Sequence, residues 1–403
     1  MEQKDEYLIH YWQLPEELFV TLNDNFHKHF CETIKRKLNS KYKNCFYKLL
    51  NCPKWHAQRL FTQFTRFTTK ELEILRKFSE IPEQEVEKKI SSIGNHEDGA
   101  VIKNPQLPFQ LKDLVYIASH LMFDGCFRDK KGCYFYSYED SLTEYHKKRL
   151  AVFGEVPTNF IVSESQLFFS YTLGYICSKV LNIPTFNSTE CCLSEKIKEL
   201  CAEKIFVDEI IKAMIIDEGS IGDKIKIELA NKKLIEDLHE VISRHYNLTK
   251  IFLRQRKGIY FKQNPQWTHD CKVFGINFSS TSFKHLNNSI SPLPIEYKQE
   301  ALNFLYDLQT NNQFHRKHNE TKKLIITSLL KQPKAFFELA KELKVRRTTI
   351  SAHIKKLPFV IKTNERVLRR GGYAKENIFG IHDIKKAQEF LEADTHCSHN
   401  NFH

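Results

Sequence analysis

The chain has 403 residues, which at roughly 100–200 residues per domain allows two to four domains. With 41% hydrophobic residues and 31 Phe against 13 Gly and 12 Pro, it is neither disordered nor collagen-like, and its 11 cysteines include no CxxC pair, so they read as reduced thiols rather than zinc ligands or a disulfide framework. No apolar run approaches the ~18 residues of a membrane span and the start MEQKDEYLIH lacks a secretory pattern, so a cytoplasmic protein is expected; the net charge of +12 leaves polyanions as the natural partner class.

Residues 1–105 read as a helical, helix-turn-helix-like domain. Residues 44–50 predict a short helix, Asn51-Cys52 a turn, and Pro53-Lys54-Trp55-His56-Ala57-Gln58-Arg59-Leu60 a second helix with proline at its opening. Thr68-Thr69-Lys70-Glu71 has the form of a capping box, and residues 82–90 give one more helix. The order is similar to the phage-repressor type of helix-turn-helix, in which Lys54, His56 and Arg59 would face DNA; a structural cap is the alternative. Asn104-Pro105-Gln106-Leu107-Pro108 reads as a linker.

Residues 106–310 contain an internal repeat. The first copy reads LKDLVYIASHLMFDGCF, strand GCYFYSYE, helix DSLTEYHKKRLAVFGEV, strands NFIVSES and QLFFSYTL, then a helix. The second reads VDEIIKAMIIDEGSI, strand DKIKIELA, helix NKKLIEDLHEVISRHYNL, then strands TKIFLRQR and GIYFKQ. Each copy is helix–strand–strand–helix–strand–strand–helix, and the strands alternate apolar and polar residues as a sheet with one wet face should. Each opens with a helix that is apolar nearly all round, and therefore buried, ending in an acid and a glycine: Asp124-Gly125 and Glu218-Gly219, 94 residues apart. The glycine permits a sharp exit. A carboxylate at the negative end of a helix dipole is disfavoured, so placing one there twice points to a cation.

These residues resemble the LAGLIDADG homing endonucleases in their single-chain, two-motif form, over about residues 111–305. The resemblance implies an α+β fold: two pseudo-symmetric αββαββα units whose motif helices meet at a pseudo-two-fold axis and whose sheets form a saddle along the major groove. It implies a monomer acting on double-stranded DNA, with Asp124 and Glu218 as Mg2+ ligands, one per copy, and Asp217 as the runner-up in copy two. The implied chemistry is site-specific, metal-assisted phosphodiester hydrolysis of both strands, in which the metal polarises the phosphate and helps generate a hydroxide. Lys262 is the candidate for the family's basic residue, with none in copy one. Tyr136 and Glu228 stand where the family has a solvent-ordering amide, and Lys212 stands where it has a small residue.

Residues 318–385 read as a winged helix. The segment 321–385 holds 16 Lys/Arg against 5 Asp/Glu, which carries nearly all of the chain's surplus charge. Helices are expected at 321–331, 335–343 and 346–357, followed by two strands around Gly371-Gly372. The third helix would expose Arg346, Arg347, Thr348, Thr349, Ser351, His353 and Lys355 to a major groove, with Ile350, Ile354 and Leu357 turned inward. Arg366, Arg369 and Arg370 would lie on the wing, and 386–403 reads as a flexible tail.

Three functions follow: an endonuclease with flanking DNA-binding domains; a non-cleaving regulator, as in bacterial sporulation regulators that join a degenerate LAGLIDADG core to a helix-turn-helix; and an intron-RNA-binding splicing aid. Retention of both Asp124 and Glu218 favours the first.

Overall fold

The structure, a computed structural model, describes residues 7–38, 46–62, 66–95, 100–128, 132–256, 271–310, 319–368 and 375–396. These fall into two compact units, one of residues 1–218, 228–245 and 251–275, the other of residues 219–227, 246–250 and 276–403. None of the described helices is long and apolar enough to cross a membrane.

The first unit begins with β1 (Leu8–Ile9), β2 (Phe19–Leu22), α1 (Asp24–Lys37), α2 (Phe46–Leu50) and α3 (Lys54–Thr62). There follow β3 (Phe67–Thr68), α4 (Thr69–Ser79), α5 (Glu83–Glu87), β4 (Ile90–Gly94), β5 (Ile102–Lys103) and β6 (Phe109–Gln110). The expected helices 44–50, 53–60 and 82–90 appear as α2, α3 and a shortened α5. Thr68 and Glu71 cap α4 reciprocally: Glu71 N donates to Thr68 Oγ1 at 3.1 Å and Thr68 N to Glu71 Oε2 at 2.8 Å.

The helical expectation for residues 1–105 is corrected in part. A four-stranded antiparallel sheet, ordered β3-β2-β4-β5, runs through the region. The linker expected at 104–108 is pinned on both sides. Asn104 N donates to Ser91 O at 2.8 Å, Lys103 and Glu155 exchange backbone bonds at 3.1 and 2.8 Å, and Gln106 N donates to Phe153 O at 3.2 Å. β1 pairs with β6 in the same way, Leu8 opposite Gln110.

The first copy follows as α6 (Leu111–Met122), β7 (Cys126–Arg128), β8 (Gly132–Tyr136), α7 (Asp140–Ala151), β9 (Thr158–Ile161), β10 (Gln166–Phe169) and α8 (Tyr171–Val180). After α9 (Glu195–Leu200) comes the second: α10 (Lys204–Asp217), β11 (Ser220–Ile221), β12 (Ile225–Leu229), α11 (Lys232–Ser243), β13 (Phe252–Arg256), β14 (Cys271–Asn277) and α12 (Phe283–Ile290). The sheets are ordered β7-β8-β10-β9 and β11-β12-β14-β13, the same topology twice. Every residue of α6 except Lys112 is buried, as its all-round apolar sequence requires, and α6 packs against α10. Gly174 of α8 lets β7 and β8 approach: a Cβ there would collide with Cys133 Sγ and the Phe127 ring.

The second unit adds α13 (Glu296–Thr310), which packs on α12 and β11, and then α14 (Glu320–Lys331), β15 (Lys334–Ala335), α15 (Phe336–Leu343), α16 (Arg347–Ile354), β16 (Val360–Leu368), β17 (Lys375–Ile381) and α17 (Ile384–His396). Three helices and the sheet β15-β17-β16 close over Ile325, Leu329, Leu339, Ile350, Ile354 and Phe379. Lys344, in the left-handed conformation at φ 51°, makes the turn between α15 and α16. The tail expected from residue 386 is corrected in part. Residues 384–396 form α17, because Ala387, Phe390 and Leu391 share a helical face and pack onto this core.

Candidate functional site

Two places collect chemistry-bearing residues: the end of the helix pair α6/α10 and the third helix of the winged helix. At the pair, His120 in the last turn of α6 meets Asp217 at the end of α10. Its Nδ1–H donates to both carboxylate oxygens at 2.8 and 2.9 Å, with the two side chains 1% and 5% exposed. Because carboxylate oxygens only accept, Nδ1 carries the proton, and Nε2 is left buried without a hydrogen-bond partner among the described residues. Burial, with Arg149 and Lys212 nearby, holds the His120 imidazole far below the usual histidine range, so it is neutral at pH 7. His146 packs edge-on to His120 at 4.8 Å between ring centres and is likewise held neutral by burial, then by His120 and Arg149.

A second clamp lies further back. Arg149 of α7 reaches Asp113 of α6 at 3.2 Å and Glu209 of α10 at 2.9 Å, with its guanidinium 4.0 Å over the Tyr116 ring. Burial raises both acids, against the pull of Arg149. Lys212, where the family places a small residue, lays its ammonium 5.4 Å over the Tyr145 ring, and burial lowers its pKa.

These contacts tie α6 to α10 side by side. The His120–Asp217 bond lies four residues before Asp124 and one before Glu218, so it brings both acids to the same end of the pair. Both are half-buried. Gly125 makes the exit from α6: its N–H donates to His120 O at 2.7 Å, and a Cβ there would sit 2.6 Å from that oxygen and 2.8 Å from Leu121 Cα. Gly219 is buried at the matching position. Asp217 is held by His120 rather than presented beside Glu218. The Glu228 side chain is 6% exposed and ion-paired with Arg254 at 3.7 Å, and Tyr136 meets Tyr134 edge-on. Lys262 lies outside the described residues. Among the described residues no three His, Cys, Asp or Glu side chains cluster as a metal cage. Two half-buried carboxylates fit Mg2+, which keeps most of its waters, better than zinc.

In the winged helix, Thr348 and Lys355 are exposed on α16, while Arg346, Arg347, Thr349 and Ser351 are half-buried. His353 is also half-buried: its Nδ1 is buried without a hydrogen-bond partner among the described residues, and burial, then Lys322 and Lys356, lowers its pKa. Arg369 and Arg370 lie outside the described residues. The N-terminus of α16 is capped from far along the chain. Asp223, in the β11–β12 turn, accepts from Arg347 N and from Thr348 N, both at 3.0 Å.

The residues expected to read DNA from α3 divide. Lys54 is exposed and lies 5.2 Å over the Tyr47 ring, and Trp55 is 61% exposed. His56 is bound instead to Glu71, Nε2 to Oε1 at 2.6 Å, and Arg59 is half-buried. Sequence reasoning missed the His120–Asp217 and Arg149 clamps and the Asp223 cap. The one visible signal was a histidine and an aspartate inside otherwise apolar helices.

Residues 319–358, from the start of α14 to just beyond α16, match the family described as bacterial regulatory protein, arsR family. No curated protein matches the chain. Residues 319–358 are thus similar to a helix-turn-helix of the arsR type, a domain class that suggests DNA binding.

Proposed function

We propose that this protein is a sequence-reading, double-stranded-DNA-binding regulator whose contact element is the C-terminal winged helix. The observation that carries this is the match of residues 319–358 to a regulatory helix-turn-helix, in a segment that holds most of the chain's basic surplus. Exposed Thr348 and Lys355 would meet groove edges and phosphates, and the basic wing would add backbone contacts. Duplexes enriched from a random-sequence pool by the full chain provide the test. Lys355→Glu should weaken binding and lower the salt slope, and equal affinity and slope in wild type and variant would end this reading.

A second reading, a LAGLIDADG-type endonuclease, is favoured by one specific observation. The same αββαββα order and sheet topology occur twice, with an acid and a glycine ending each of two packed helices. In this reading the two sheets form a pseudo-symmetric saddle on the duplex and Asp124 and Glu218 would hold Mg2+. The ion would supply Lewis-acid activation of the phosphate. The protein's own part would be to hold α6 and α10 side by side through the His120–Asp217 and Arg149 clamps, with both acids at the same end of the pair. Incubating a bound duplex with Mg2+ and then with Ca2+ separates the readings: Mg2+-dependent double-strand cuts mean a nuclease, and binding without cuts means a regulator.

A further inference from the structure

We infer that Asp223 masks the DNA-reading end of the winged helix, so that this contact must open before α16 can enter a groove. The inference rests on the DNA-binding reading of residues 319–358. In a helix-turn-helix the N-terminal residues of the recognition helix approach the bases, and its free N–H groups are natural ligands for phosphate oxygens. Here two of those N–H groups, on Arg347 and Thr348, are already bonded to one carboxylate at 3.0 Å each. A carboxylate at that point excludes phosphate twice, by occupying the donors and by its negative charge.

The cap is not local. Helices are ordinarily capped by a Ser, Thr, Asp or Asn at the position before the first turn. That position is Arg346, whose side chain makes no cap bond, and the cap comes from 124 residues earlier. The turn that presents it is tight, with Gly222 N bonded to Lys224 O at 3.0 Å. The rest of the second unit holds the winged helix against the same scaffold: α13 meets α15 through Phe304 and Phe337, 6.4 Å between ring centres, and through Glu300 and Lys341 at 4.0 Å. The half-buried state of Arg346, Arg347, Thr349 and Ser351 fits a helix whose reading end is covered.

The test uses the full chain and a fluorescein-labelled duplex enriched from a random-sequence pool. Asp223→Ala should bind that duplex about tenfold more tightly, because apparent affinity falls in proportion to the fraction of competent conformer. Asp223→Asn, which keeps one acceptor oxygen, should fall between. To separate release from loss of a helix cap, Arg346→Ser is compared with Arg346→Ser/Asp223→Ala. Serine caps α16 locally, so the same gain should appear within that pair. Equal or weaker binding on removing Asp223 in both backgrounds overturns the mask and leaves a plain cap. Failure of every variant to retain any duplex overturns the DNA reading, and the mask with it.

Discussion

Replacing His120 by alanine should be among the most damaging single changes in the first unit, and the geometry says by how much. The imidazole is 1% exposed and bonds both oxygens of a carboxylate that is itself 5% exposed. Removing it takes both of these bonds from a buried carboxylate, which costs about 3–5 kcal/mol. Asp217→Asn is a milder change. The amide oxygen still accepts from Nδ1, and only the difference between a charge-assisted and a neutral bond is lost, about 1–2 kcal/mol. Replacing both residues by leucine removes the buried charge along with its partner, so the double variant should be more stable than His120→Ala alone. At roughly 2–4 °C per kcal/mol for a domain of this size, His120→Ala should lower the melting midpoint by about 6–20 °C. Urea and thermal unfolding followed by circular dichroism, fitted to the transition of the first unit, measure all three. If His120→Ala costs no more than Asp217→Asn, the pair is not the buried clamp described.

Other perturbations have equally definite outcomes. His120 and His146 are held neutral in the fold but titrate near ~6.5 when unfolded, so below that pH the unfolded chain binds more protons and stability falls, by up to about 1.4 kcal/mol per pH unit for each group, while above it the contribution is flat; a melting midpoint that stays constant from neutral pH to mildly acidic pH would contradict this. Gly125→Ala should destabilise the first unit by a few kcal/mol, about the effect of overpacking, since its Cβ meets backbone rather than a movable side chain, and an unchanged thermal midpoint would refute that. Under the nuclease reading, Asp124→Asn and Glu218→Gln should each abolish double-strand cutting in a plasmid assay while leaving duplex binding within a few-fold; wild-type-like cutting by either variant removes that acid from the site.

The repeat was legible because its signals are local and doubled: alternating strands, helices apolar all round, an acid and a glycine at each helix end. The N-terminal strands were not, because β1, β3, β5 and β6 are two residues each, too short for alternation to register. α17 had a readable apolar face at Ala387, Phe390 and Leu391 that the adjoining polar tail obscured. The long-range pairings could not be read. His120 and Asp217 are 97 residues apart and Asp223 and Arg347 are 124 apart, and nothing in either local sequence names its partner. His56 and His353 show the converse: their composition suits a groove, but one is bound to Glu71 and the other has its Nδ1 buried.

The backbone bonds that pin residues 103–106 to Ser91 on one side and to Phe153 and Glu155 on the other make the N-terminal region and the first copy share a single hydrogen-bonded seam. Such a seam has a price for modular evolution. Residues 1–105 cannot be exchanged for another head, or cut away by a protease at the Pro105–Pro108 stretch, without stripping partners from strands on both sides. The two segments should therefore be inherited together and unfold in one cooperative step, even though two prolines in four residues would suggest a hinge between separable parts.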